Sequence, residues 1–459
     1  MALGKRKSEE QQAWVATTDL PRSPGHPFYK QLNRLLAENG FDAWLENLCS
    51  PYYHATQGRP SIPPGVYFRM ILVGYFEGIS SQRGIAWRCC DSRSLAEFLG
   101  YGPTDETPDH SSLSRLGERL PQEVHESVFQ RVLGIAVSNG LVDGKTVAVD
   151  STTLEANAAM KSIIRRDTGE DWKAYVRRLM HAAGALAADE EPTDEELRRF
   201  DKRRKNKRVS NEDWVSTSDP ESRITRMKDG TTHLAYKAEH VVDLESEFVL
   251  AATVHEGDAA DTDTLCDSLI EAQLNLDEAG SEVEIREGVA DKGYHAAATI
   301  ELCDDLNFRT YIPEPKRAHR LRWTDKPPEY RDAVYANRRR VKGDRGKRLQ
   351  RLRSERVERS FAHVCETGGA RRCWLAGLAK VTKRYLLQAA TRNLGLILRK
   401  LFGMGTPRGL QTEGALARLV HFVMIVTPRV SIIQLAIRRI DIKLNRRVSN
   451  CATVHTLAA

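Results

Sequence analysis

The chain has no CxxC pair and no compact cysteine framework: its eight cysteines stand apart at 49, 89, 90, 266, 303, 365, 373 and 451. At 459 residues it needs no disulfide staples to hold a core, so reduced thiols in a cytosolic compartment are expected. The adjacent Cys89 and Cys90 would point to different faces of a helix, which reads as packing rather than redox chemistry. Also missing are GxxxxGK[ST], GxSxG and HExxH, and no strand precedes the glycines at 403–409. Nothing therefore indicates ATP use, a hydrolase nucleophile elbow, a zinc-protease helix or a dinucleotide loop. The opening residues MALGKRKSEEQQ are charged where a secretion signal needs an apolar stretch. Long apolar runs are scarce as well. The one membrane-like run, 419–437, is broken by Pro428 and Arg429 and followed by Arg438 and Arg439, so a packed or broken segment is expected there and no membrane partner.

What is present is the balance of a globular protein, 41% apolar and 29% charged, at a length that implies two or more domains. The net charge of +7 is unevenly placed. Residues 314–359 hold seventeen Lys/Arg against seven Asp/Glu, so this segment alone carries +10 and the rest of the chain −3. Such a segment suits a polyanion.

The pattern divides the chain into a helical N-terminal domain (1–140), a mixed α/β domain (141–402) with an insertion at about 160–230, and a tail (403–459) with no assigned role. Pro63 and Pro64 suit a helix start. Ser80 or Ser81 can cap GIAWRCC, and Ser92 or Ser94 can cap LAEFLG. The two short helices resemble a helix-turn-helix, with Arg83, Arg88 and Arg93 as its DNA-facing candidates. Thr107, Asp109 and Ser111 are plausible caps for LSRLGERL, and His110 reads as a turn residue. From Leu141 the period changes, and TVAVD reads as a buried central strand. The insertion shows helical periodicity, an acidic patch and the basic run Lys202–Arg208, with no strand signal. Then come a hairpin from LAYKAEHVVDL to EFVLAATVHEG through ESE, a helix capped by Asp261 or Asp263, and a strand around REGVAD. A helix, a strand at RTYIPEP, a basic loop and a long helix from about Leu349 complete the order.

Three carboxylates stand out in this order. Asp150 ends the Val-rich strand, at the rim of the core, where a carboxylate stays poorly hydrated unless it is paired or binds metal. Asp291 follows a second strand, and Gly293 permits the close turn after it, although a turn aspartate bonding its own backbone reads the same way. Glu358 rides on a helix, on the flank of a stripe formed by Val357, Phe361 and Val364; Glu355, one turn earlier, is its rival. Three carboxylates suit two hard cations, Mg²⁺ or Mn²⁺, that activate an attacking oxygen and stabilise a leaving one in phosphodiester chemistry. The acidic group Asp258, Asp261 and Asp263 lacks the remaining ligands of a calcium loop and has a capping role to fill.

The segments TPDHSSLSRL, DGKTVAVDSTTLEANAAMKSI, HEGDAADTDTL, ADKGYH and SERVERSFAHVCETGGARR resemble bacterial insertion-sequence transposases of the DDE class. The resemblance spans most of the chain and implies a ribonuclease H-like catalytic domain. Its metal-binding Asp, Asp and Glu fall on Asp150, Asp291 and Glu358. It implies cleavage at the ends of a mobile element and joining of the 3′-hydroxyl to target DNA, by a homodimer or larger assembly in the bacterial cytoplasm, nucleoid-associated when bound. The basic position about seven residues after the Glu is Cys365 here, which would pass a DNA contact to Arg371 or Arg372. Arg338, Arg339, Arg340, Lys342, Arg345, Lys347 and Arg348 would track the double-stranded DNA backbone, and Tyr294 and Arg351 would lie beside the scissile phosphate. The alternatives are an inactive DNA-binding relic and a structure-specific nuclease of the same fold.

Overall fold

A computed structural model describes residues 16, 25–54, 57–58, 61–187, 190–205, 209–227, 230–316 and 323–408. The run 419–437 and Asn206 to Arg208 of the inserted basic stretch lie outside the described residues. Residues up to Gly405 belong to one compact unit, and a second unit begins at Thr406.

Seven α-helices are described ahead of the first strand: α1 (Pro27–Glu38), α2 (Phe41–Cys49), α3 (Pro64–Glu77), α4 (Gln82–Asp91), α5 (Arg93–Phe98), α6 (His110–Arg119) and α7 (Gln122–Ser138). Pro64 opens α3, whose apolar residues are buried around nearly the whole circumference. Ser81 caps α4 and Ser92 caps α5, each accepting a backbone N–H, and Asp109 caps α6. Between α4 and α5 stands Ser92 alone, in extended conformation. That is not the three- to four-residue turn of a helix-turn-helix, so this expectation is corrected. Of its DNA-facing candidates, Arg88 is paired with Glu77 at 3.2 Å.

The sheet that follows is organised around β1 (Thr146–Glu155). The other strands are β2 (Ile163–Arg165), β3 (Trp214–Ser216), β4 (Arg223–Arg226), β5 (Thr232–Asp243), β6 (Val249–Glu256), β7 (Glu287–Val289) and β8 (Arg309–Tyr311). β1 runs antiparallel to β5 and parallel to β7, and β7 runs parallel to β8. The far edge of β5 is shared, with β4 pairing its first residues and β6 the rest, both antiparallel. The order β6-β5-β1-β7-β8 makes a mixed, ribonuclease H-like sheet. Val147, Ala148 and Val149 are fully buried, as the continuous apolar run requires.

The helices of this region are α8 (Trp172–Ala182), α9 (Asp194–Arg203), α10 (Asp261–Glu278), α11 (Ala297–Asp305), α12 (Pro328–Lys342), α13 (Asp344–Phe361) and α14 (Leu378–Phe402). A π-helix, Ala362–Thr367, continues α13. α14 packs on both α7 and β6, so it joins the helical region to the sheet. Three expectations are corrected. The insertion does contain strands: β2 and β3 pair with each other, and β4 joins the main sheet. The basic loop is helical, as α12 and the start of α13, broken only at Gly343, because Ala333, Val334 and Asn337 supply a narrow buried stripe. Finally, neither Asp261 nor Asp263 caps α10, whose N-cap is Ala260 without a side-chain bond.

Candidate active site

Pairing of β1 with β5 sets Asp150 opposite His240, Ser151 opposite Glu239, and Thr153 opposite Lys237. Side chains alternate along a strand, so Asp150 and His240 share the face covered by α13, while Ser151, Glu239 and Lys237 share the face covered by α10. The partners agree. Arg353 and Ser360 of α13 reach Asp150 and His240, and Asp261, Thr264 and Ser268 of α10 reach the other three.

On the α13 face, Asp150 Oδ1 accepts from the Ser151 backbone N–H at 2.9 Å, and Oδ2 takes Arg353 Nη1 at 2.5 Å. Arg353 Nε donates to Gln350 Oε1 at 3.3 Å. Gln350 Nε2 in turn donates to the carbonyls of Ala290 at 3.0 Å and Tyr311 at 2.6 Å, at the ends of β7 and β8. His240 is stacked on Phe361 with ring centroids 4.2 Å apart, and its ring nitrogens meet Ser360 Oγ at 2.9 Å and the Tyr385 hydroxyl at 2.8 Å. Burial pushes this histidine down to about 3, so it is neutral at ordinary pH.

Asp291 follows Ala290 past the end of β7, two residues beyond the last pair with β1, and its Oδ1 accepts from the Gly293 N–H at 2.6 Å, closing a one-turn 3₁₀ helix over 292–294. Both readings of this residue hold at once, strand-end carboxylate and turn aspartate. A Cβ on Gly293 would stand 2.8 Å from Asp261 Oδ2 and 2.9 Å from Asp291 Oδ1, so any larger residue would push on the two carboxylates that flank the turn. Tyr294 is fully buried, and its hydroxyl donates to Glu239 at 2.9 Å. It is therefore turned inward, not toward DNA.

The α10 face holds a polar network that the sequence analysis missed. Lys237, buried, meets Asp261 at 2.8 Å, Thr264 Oγ1 at 3.0 Å and Glu239 at 3.4 Å. Glu239 also accepts from Thr264 at 2.8 Å and Ser268 at 2.6 Å, and Asp261 accepts from Ser151 Oγ at 3.0 Å. The signal was there in AYKAEHVV, where two opposite charges two residues apart stand in an otherwise apolar strand.

Glu358 and Glu355 are both exposed. Glu355 pairs with Arg359 at 2.6 Å, whereas the Glu358 carboxylate makes no hydrogen bond or ion pair with a described residue. At about 100° per residue, Glu358 lies about 140° around α13 from Arg353 and Glu355 about 200°. β1 runs on to Glu155, so the expectation that Asp150 ends its strand is corrected; Asp150 and Asp291 each stand two residues past the last β1–β7 pair, Ala148 with Val289, and Glu358 lies on the flank of the helix above them. Among the described residues, no three of His, Cys, Asp and Glu stand close enough to hold a metal ion together. The donors fit a hard cation in kind, since all are carboxylates, but beside Asp150 stands a guanidinium.

The basic residues separate into two groups. Arg338 is bound to Glu314 at 2.5 Å, Arg340 to Asp304 at 3.2 Å and to the Thr310 carbonyl at 3.0 Å, Arg345 to Glu287, and Lys347 to Asp344 at 3.4 Å. Arg339, Lys342, Arg348 and Arg351 are exposed and make no ion pair with a described residue. Arg371 Nη1 reaches β1, donating to Thr152 Oγ1 at 2.9 Å and the Thr153 carbonyl at 3.2 Å, and the Arg372 guanidinium lies 4.9 Å from the centre of the Trp374 ring.

Two stretches of the chain match family models: residues 19–119 match a transposase domain (DUF772), and residues 301–398 match a transposase DDE domain. The second match covers Glu358; Asp150 and Asp291 precede it. A structure search returns the Mos1 transposase paired-end complex with left transposon end, at 10% identity, over 72% of this chain and 87% of that one, with a TM-score of 0.18. A likeness at that score adds nothing to the fold described above. No curated protein sequence matches the chain. One transposase model is thus matched ahead of the sheet and a DDE transposase model toward the end of the described residues, and the two matches together support a DDE-class transposase.

Proposed function

We propose that the chain cleaves DNA at the ends of a mobile element and joins the freed 3′-hydroxyl to target DNA, with Asp150, Asp291 and Glu358 as its catalytic carboxylates. The observation that carries this reading is the placement of Asp150 and Asp291 each two residues past the last pair, Ala148 with Val289, of the parallel strands β1 and β7, where that pairing opens. Asp150 and Asp291 would hold the divalent ions, Mg²⁺ or Mn²⁺, with Glu358 as the third donor. When bound, such ions supply charge stabilisation for the attacking and leaving oxygens. The chain's own residues orient these donors: the Gly293 turn fixes Asp291, and the β1 backbone fixes Asp150. Arg339, Lys342, Arg348 and Arg351, exposed and without an ion pair among the described residues, would meet the phosphates of double-stranded element ends and target. A dimer or larger assembly would hold both ends.

The test uses end-bearing DNA with Mg²⁺. Asp150→Asn is expected to lower cleavage by at least about 10³-fold while DNA affinity stays within about threefold. Cleavage by that variant within tenfold of wild type, as an order-of-magnitude bound, removes Asp150 from the chemistry. Precleaved ends with a free 3′-hydroxyl separate strand transfer from a nuclease of the same fold: failure to join them to target DNA favours the nuclease.

A further inference from the structure

We propose that Arg353 is a resident counter-ion of Asp150, holding the place of a divalent cation, so that metal loading requires this guanidinium to withdraw. The inference rests on the reading of Asp150 as a metal-holding carboxylate.

Arg353 does not reach Asp150 by chance of a long side chain. Its guanidinium is aimed by Gln350, and Gln350 is itself anchored on the carbonyls of Ala290 and Tyr311. Asp291 directly follows Ala290, so the relay ties Arg353 to the strand end that presents the second carboxylate. The guanidinium therefore lies where the pairing of β1 with β7 opens, past Ala148 and Val289. Its Nη1 stands 2.5 Å from Asp150 Oδ2, with side-chain exposures of 13% for Arg353 and 24% for Asp150. At that separation a divalent ion on the same carboxylate would face a like charge in contact, with little solvent to screen it. Guanidinium and metal compete for one oxygen.

Arg353 also has somewhere to go. A planar guanidinium binds a phosphate in the same two-pronged way as a carboxylate. A DNA phosphate arriving at the strand ends would draw the guanidinium off Asp150, and by reciprocity each ligand would then strengthen the other's binding. The protein without DNA would hold metal weakly, which keeps hydrolytic chemistry off until an end is seated.

The test measures Mn²⁺ binding to the DNA-free full chain, from the loss of the free-ion signal in electron paramagnetic resonance. R353Q is expected to bind Mn²⁺ at least about tenfold more tightly than wild type, and adding Asp150→Asn is expected to remove the gain. R353K, which keeps the charge, stays within about threefold of wild type. Thermal melting by circular dichroism checks folding, and R353M gives the same readout if R353Q is unstable. Unchanged or weaker binding by R353Q, with Asp150→Asn still abolishing binding, overturns the role of Arg353 and leaves the site reading intact. Binding that Asp150→Asn does not alter in either background overturns both.

Discussion

On the α10 face of the β1–β5 pair, Lys237 meets both Glu239 and Asp261, and hydroxyl groups of Thr264, Ser268 and Ser151 donate to the two carboxylates. On the α13 face, Asp150 meets Arg353 on a helix whose other side is open to solvent. The same two strands thus carry a closed charge network on one side and an exchangeable ion pair on the other. The closed side fixes where the Asp291 turn stands, because the Tyr294 hydroxyl ties that turn to Glu239 of β5 and Asp261 ties α10 to Ser151 of β1. The open side is left free to trade partners, which is what binding of metal or phosphate demands.

Breaking the closed face has the largest expected effect on stability. Lys237→Met leaves the buried Glu239 and the half-buried Asp261 without their cation, and a loss of about 3 kcal/mol is expected, read from urea unfolding. A loss under about 1 kcal/mol would show that the network is no more closed than a surface pair.

The comparison is sharpened on the open face by the two glutamates of α13. Glu358→Gln is expected to lower cleavage by at least about 10²-fold with unfolding unchanged. Glu355→Gln loses only the exposed pair with Arg359, worth under about 1 kcal/mol, and keeps its activity. The reverse ranking would assign the metal to Glu355.

A smaller effect concerns His240, which lies under the open face. Its folded value is about 3 against an ordinary 6.5, so below pH 6.5 the unfolded chain takes a proton that the folded chain refuses. Its contribution to stability is complete above pH 6.5 and is lost as pH falls toward 3. Between pH 6 and pH 4, unfolding of wild type should therefore steepen with acid relative to His240→Gln by up to roughly 1.4 kcal/mol per pH unit. Equal slopes for the two proteins would show that the ring is protonated in place.

The buried strand was legible because a continuous Val-rich run has few other readings, and the hairpin from β5 to β6 was legible from two alternating segments with a short link; the end of β1 was not, because the polar residues after Asp150 continue the pairing with β5 as far as Glu155. The facing of α13 was not. Its sheet side includes Gln350, Arg353 and Ser360 among the apolar positions, so a search for an apolar stripe finds Val357, Phe361 and Val364 and misses the polar residues that reach the sheet. α12 was hidden for a related reason, since its few buried residues are outnumbered by charges. Contacts between distant residues left no trace at all: Cys266 and Cys303 meet at 3.1 Å across α10 and α11, although nothing in their spacing brings them together.

The π-helix that continues α13 changes the azimuth of every side chain beyond Phe361. With one more residue per hydrogen-bonded ring than an α-helix, it advances the chain out of phase with the turns before it. Cys365 is thereby rotated into the interior, only 1% exposed, and burial pushes its thiol up to about 11. A lysine or arginine at that position would have to bury its charge. The loop past the π-helix instead returns a cation to β1 from the other direction, through Arg371 on Thr152 and Thr153, so the helix phase decides which residue number can carry the positive charge beside this strand.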